Sequence, residues 1–413
     1  MFPKRKKRFP FLVIFQGDRP LYTGRMSQER PPAAAASAAA FDYHLFGTHV
    51  CFGDGVSALI LKELDALGCF RPAILAQDAM VRSAAFEILS ACWSGLDHLR
   101  LPAVPRHSSV DFVETMAEKV RTFGADSLIA IGGGSVADSA KALALLLADH
   151  VTTFEPPATV RIPRRVRPQL PIIGIPTTAS GAETTSSFGV RRQDGHKLMF
   201  WNRGVAAATL LIDPRLSADQ PVALLRDSAM NGIAHALEAL YSRGRSPVSD
   251  CIAVQAIRLF DSALDGDSLA AGDARGAILQ AAHLAGLALS MARSCLHHAI
   301  CHVVASRQRL SHGAVNSVIL PHALAFNEAA AADALRPALD AINQRARRPH
   351  VTLSAWVRDI QRRHAMPARL SELGVAREAL GAMARDVLTE RGLALNPRPV
   401  SEAEASGILR AAF

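Results

Sequence analysis

No run in these 413 residues is long and apolar enough to read as a membrane span, for which about 18 consecutive apolar residues are needed. Cysteine is scarce. Six are scattered along the chain (Cys51, Cys69, Cys92, Cys251, Cys295, Cys301) and no two form a CxxC pair, so neither a disulfide scaffold nor a zinc knuckle is indicated. They read as free thiols in a reducing compartment, and a cytoplasmic location is expected. Aromatic residues make up only 6% of the chain, while Ala and Leu are plentiful, a balance that favours helix.

Positive charge is present but unevenly spread. The formal net charge is +9, yet residues 1–30 alone carry eight Lys/Arg against Asp18 and Glu29, which leaves +3 for the rest. So weakly basic a body suits a small anionic ligand better than a nucleic acid. The basic start is followed by FPFLVIF (Phe9–Phe15), too short for a good signal peptide. Residues 1–40, ending in the low-complexity PPAAAASAAA, are expected to be a disordered extension, with Met26 as a plausible true start.

From Phe41 to Pro214, short apolar runs alternate with amphipathic stretches. Pro72–Ala76, Ser127–Ile131 and Pro171–Ile175 read as buried strands, and Ser57–Leu67 and Asp111–Phe123 as helices. Such alternation predicts a parallel sheet covered by helices. Residues 156–170, with four prolines and four arginines, read as an irregular basic insertion. After Pro214 strand signals fade. Asp227–Tyr241, Val248–Leu264 and Ala277–Ala292 read as long helices. The expected organisation is an α/β domain at 41–214 followed by an all-α domain at 215–413.

Two features carry chemistry. In SLIAIGGGSVADSAKA (Ser127–Ala142) a buried strand runs through Gly132-Gly133-Gly134 into a helix. Glycines let backbone approach a ligand, and a new helix N-terminus favours a pyrophosphate. Ser135 is expected to cap that helix, with Asp138 completing a capping box. A polar turn, Thr177–Thr185, follows the next strand. The second feature is a set of paired ligand-type side chains. Asn231 and His235 lie four apart, as do His298 and His302, and His312 follows ten residues later. Such pairs on two helical segments can build a metal or proton-transfer site.

At these residues the chain resembles the iron-containing alcohol dehydrogenase superfamily. The likeness runs through FGDG (Phe52–Gly55), IGGGSVADSAKA, IPTTASGAE (Ile175–Glu183), the Asn231–His235 helix, and His298–His312 followed by GAVNSVILPHALAFN. It implies a Rossmann-like, dinucleotide-binding domain followed by a helical one, with the active site in the cleft between them, and a homodimer. By the resemblance Gly133, Gly134, Ser135 and Asp138 belong to the pyrophosphate loop. Thr177, Thr178 and Lys197 would contact the cofactor, and Gln77 would stand where an acid often holds the adenosine ribose. Without that acid a 2′-phosphate is not rejected, so both NADH and NADPH are expected to serve. The metal quartet would be Asn231, His235, His298 and His312, with His302 in proton transfer.

Asn231 departs from the Asp usual in the iron or zinc enzymes, which weakens the case for a bound Fe or Zn ion. It resembles the maleylacetate reductase branch instead, as do HHAICH (His297–His302), His107 and NPRPV (Asn396–Val400). LSHGAVN (Leu310–Asn316) is more similar to the alcohol dehydrogenases. The branch implies reduction of maleylacetate to 3-oxoadipate in aromatic-compound catabolism. The alternative is an iron- or zinc-type alcohol dehydrogenase or aldehyde reductase. A cyclase of the dehydroquinate synthase kind would need a Glu/His/His metal set, which the spacing does not reveal. Arg398 and Arg293 are candidate partners for substrate carboxylates.

Overall fold

The computed structural model describes residues 43, 45, 47–148, 170–193, 195, 197–265, 269, 272–308, 310, 312–346 and 348–413. The predicted extension at 1–40 lies outside the described residues, as does all of the predicted 156–170 insertion except Leu170.

The first half alternates strand and helix. In chain order it holds β1 (His49–Phe52), α1 (Ile60–Ala66), β2 (Pro72–Ala76), α2 (Asp78–Val81), α3 (Ala84–Ala91), β3 (Leu99–Arg100), α4 (Val110–Phe123), β4 (Ser127–Gly132), α5 (Gly134–Leu147), β5 (Ile172–Pro176), β6 (Ser187–Arg191), β7 (Lys197–Trp201) and β8 (Thr209–Ile212). Six strands form one parallel sheet in the order β1-β8-β5-β4-β2-β3, and β6 and β7 pair separately as an antiparallel hairpin. Every residue of β2, β4, β5 and β8 is buried. A parallel sheet covered on both faces needs such unbroken apolar strands, which is why PAILA, SLIAI and PIIGI could be read from sequence.

From Val222 onward the described regular elements are helical: α6 (Val222–Tyr241), α7 (Pro247–Leu264), α8 (Gly272–Ala292), α9 (Leu296–Gln308), α10 (His312–Glu328), α11 (Ala332–Asn343), α12 (Leu353–Arg363), α13 (Leu380–Val387) and α14 (Glu402–Ala411). Their core is built largely from Ala, Leu and Ile around the fully buried Trp356, whose indole N–H donates to Asp261 at 2.8 Å. Packing crosses between the halves. Leu279 of α8 joins the core beneath the sheet, and Ala179 from the turn after β5 joins the helical core.

Two differences from the sequence reading bear on the site. Strands β1 and β8 are only four residues each, at the lower limit of what an apolar run can signal. The β6–β7 hairpin escaped notice although Asp194-Gly195, a strong hairpin signal, lies between the two runs.

Candidate active site

Between β2 and β4 the chain changes direction. From β2 it steps outward to β3, then returns past β2 to β4, β5 and β8. A reversal of this kind opens a crevice at the carboxyl ends of the two strands, where α/β sheets bind ligands. Gln77 follows β2 directly, and its Oε1 lies 3.7 Å from where a Cβ on Gly132 would stand. Gly133 is the N-cap of α5 and no side chain caps that end. A Cβ on Gly133 would sit 2.8 Å from the Thr178 hydroxyl, so only glycine lets the two turns close against each other. Thr177 is buried beside them and its N–H donates to the Gly132 carbonyl.

The capping expectation needs correction. Ser135 is the second residue inside α5, not its cap, and its hydroxyl donates to the Arg106 carbonyl. Asp138 accepts the Gly189 N–H at 3.2 Å and faces Lys197 at 3.9 Å. The helix end is therefore left without side-chain competition for an anion, with Gly134 in its first turn. Backbone donors, the helix dipole and the switch-point crevice together fit a nicotinamide dinucleotide. Part of the Thr177–Thr185 turn works internally. Thr184 donates to the Gly181 carbonyl, and Thr185 shares the buried Lys141 ammonium with two backbone carbonyls.

The histidines assemble on the helices facing this turn. The His235 and His298 rings stack at 4.8 Å. His302 lies edge-on to both His298 at 6.0 Å and His312 at 6.2 Å. Burial holds His235, His302 and His312 below the ordinary histidine range, and the Lys197 charge adds to this at His312. Lys197 Nζ is 3.2 Å from His312 Nε2, so the ammonium joins the cluster from the α/β side. Burial lowers the Lys197 pKa, against the pull of Asp138.

Beneath the cluster stands a buried acid that the sequence reading did not single out. Glu238 lies three residues after His235, on the same face of α6. Its Oε2 accepts His298 Nδ1 at 2.6 Å, and its Oε1 accepts the N–H groups of His297 and His298 and the Tyr241 hydroxyl. Burial pushes this carboxyl up, but the charge and hydrogen bond of His298, the His297 charge and a backbone N–H together outweigh it and hold the group well below the usual range. With Nδ1 committed, His298 Nε2 is left as the nitrogen that can face a ligand, and it has no hydrogen-bond partner.

The predicted metal quartet does not converge. His235, His298 and His312 do not bring their ring nitrogens within one ion's reach, and His312 Nε2 is already beside an ammonium. Asn231 is engaged as well. Its Oδ1 accepts from Asn316 at 2.6 Å, and its Nδ2 donates to the Ser180 carbonyl at 3.0 Å. A Glu/His/His set, absent from the sequence reading, does form from Glu238, His297 and His298. Its carboxylate is saturated by the four donors just named, so it is a hydrogen-bonded support and not a vacant metal site. As arranged, Asn231 and His312 are committed to other side chains, and His235 Nδ1 and His298 Nε2 are the buried ring nitrogens of the quartet left without a partner.

The two arginines singled out for substrate have partners of their own. Arg398 pairs with Glu404 and lies over the Phe326 ring. Arg293, with φ 67, sits 5.5 Å over the Trp201 ring. Beside the histidines stand Glu390, whose carboxylate is 3.5 Å from His302 Nδ1, and His107, whose ring is 6.4 Å from that of His312.

The comparisons agree with this geometry. A family model described as iron-containing alcohol dehydrogenase matches residues 47–214, and one described as the C-terminal part of the same family matches 226–413. The maleylacetate reductase of Rhizobium sp. (strain MTP-10005) is 30% identical over 90% of this chain and 97% of its own length. Maleylacetate reductase 1 of Cupriavidus pinatubonensis is 31% identical, with the same coverage of each chain. The crystal structure of maleylacetate reductase from Agrobacterium tumefaciens superposes with a TM-score of 0.77 at 28% identity, covering 91% of this chain and 98% of that one.

Proposed function

The chain belongs to the iron-containing alcohol dehydrogenase family, and from that premise we propose that it is a nicotinamide-dependent maleylacetate reductase. The observation that carries the reading is Asn231. Where a metal-type dehydrogenase has an acid ligand, this chain has a neutral amide tied between Asn316 and the Ser180 carbonyl.

When bound, NADH or NADPH supplies the hydride. The α5 N-terminus and the Gly133–Gly134 turn would hold its pyrophosphate, with Thr177, Thr178 and Gln77 beside them. Maleylacetate offers an alkene conjugated to a ketone. Hydride addition at the far alkene carbon pushes an electron pair onto the ketone oxygen as an enolate. Imidazoles of His235 and His298, with the Lys197 charge, stabilise that oxygen in a site largely shielded from water. His302 delivers one proton to the carbon next to the ketone and draws another from the Glu390 side. One hydride and one proton give 3-oxoadipate. Use of either cofactor, a homodimer and a cytoplasmic location belong to the same proposal, the last supported by six unpaired cysteines.

The test is where the hydride goes. With deuterated cofactor, maleylacetate reduction should place deuterium on a methylene carbon of 3-oxoadipate. Deuterium on a carbinol carbon would assign the site to carbonyl reduction instead.

A further inference from the structure

The β6–β7 hairpin sets two cations side by side. Arg191 and Lys197 are directly opposed in its register, and opposed residues of an antiparallel pair point to the same face. Like charges so placed weaken a hairpin, so strand pairing does not explain them. Lys197 crosses toward His312 and Asp138 over Gly189, where a Cβ would lie 2.0 Å from the Lys197 Cε. Arg191 is anchored beside the same pocket. Its N–H donates to the Ser108 carbonyl, next to His107, and its Nη2 is 3.4 Å from the carbonyl of Ala305, three residues past His302. Burial, then the charges of Arg191, Arg106 and Lys197, bring His107 down to about 4. Asp138, whose pKa burial raises, and Glu390 flank this edge, and Asp111 accepts from Gln193 two residues past Arg191.

We propose that Arg191, with His107 beside it, forms an anion subsite that takes the substrate carboxylate remote from the reacting carbon and so selects dicarboxylates. A guanidinium carries five N–H donors in a planar fork that matches a carboxylate. This subsite replaces Arg398 and Arg293 in that role. It rests on reading the histidine pocket as a reductase site for an oxo acid, and deepens that reading.

The experiment is calorimetric titration of the enzyme–NADH complex with adipate and with hexanoate, equal in length and different by one carboxylate. Wild type should bind adipate about tenfold tighter, the scale of one hydrogen bond to a charged group. Arg191→Gln should lose that preference, Arg191→Lys should keep part of it, and both should bind NADH as wild type does. Should Arg191→Gln not fold, Arg191→Lys decides alone, with an undiminished preference counting against the subsite. A preference that survives in Arg191→Gln, a loss of NADH affinity, or no preference in wild type would overturn the assignment. Neither ligand is reduced, so failure to turn over maleylacetate would sink the proposed activity without touching this result.

Discussion

The Nδ1 atom of His298 lies 2.6 Å from the Oε2 atom of Glu238, and both side chains are buried. The carboxylate fixes which imidazole nitrogen faces the pocket, so it acts on the chemistry through His298. Glu238→Gln keeps an acceptor but removes the charge. We expect kcat to fall by about tenfold, the scale of one charge-assisted hydrogen bond lost, with KM for the cofactor unchanged. Glu238→Ala, which strands buried donors, should also destabilise the fold by about 1–3 kcal/mol. Steady-state kinetics and thermal melts of both variants check this. A normal kcat in Glu238→Gln would contradict it.

The Gly133–Thr178 contact makes a paired test of the cofactor turn. Gly133→Ala puts a methyl 2.8 Å from the threonine hydroxyl and should raise KM for NADH with little effect on the melting temperature. Adding Thr178→Gly makes room. If the clash is the cause, the double variant recovers much of the loss, and additive losses would deny it.

Gln77 sits at the end of β2 where an acid would meet the ribose. Gln77→Asp should leave NADH turnover near wild type and raise KM for NADPH by about tenfold or more, since a carboxylate beside a 2′-phosphate is repelled. Equal cofactor ratios before and after the change would place the ribose elsewhere.

Stability should rise with pH from about 4 to 6.5. Burial, with neighbouring cations in two cases, brings His107, His283 and His322 to about 4 from the ordinary 6.5. In that window the unfolded chain binds protons that the folded chain refuses, so acidification favours unfolding. Glu183, raised by burial to about 7, works in the opposite sense and offsets one of the three. Melting temperatures measured across this range should fall on acidification, and His283→Leu should flatten the fall.

What could be read from sequence was whatever depends on local pattern. Fully buried strands need unbroken apolar runs, and a glycine turn between strand and helix has few alternatives, so β2, β4, β5 and the start of α5 were legible. The i, i+4 spacing placed Asn231 with His235 and His298 with His302, and Asn231 does reach His235, at 3.4 Å. What failed depends on contacts between distant segments. Nothing near Asn231 announces that Asn316 will hold it, and nothing near Lys197 announces that it will stand against His312. The residue types of the quartet were legible, but not the contacts that tie Asn231 to Asn316 and His312 to Lys197. Ser135 was misplaced by two residues because Gly133 takes the cap position without a side chain.

The central claim is that this pocket reduces an enone dicarboxylate without a metal ion. The most direct measurement is kcat/KM for maleylacetate beside a panel of small aldehydes, with NADH and with NADPH, before and after EDTA treatment. We predict maleylacetate turnover that exceeds that of every aldehyde and survives the chelator. Aldehyde reduction without maleylacetate turnover, or activity that EDTA abolishes and Fe or Zn restores, would contradict it.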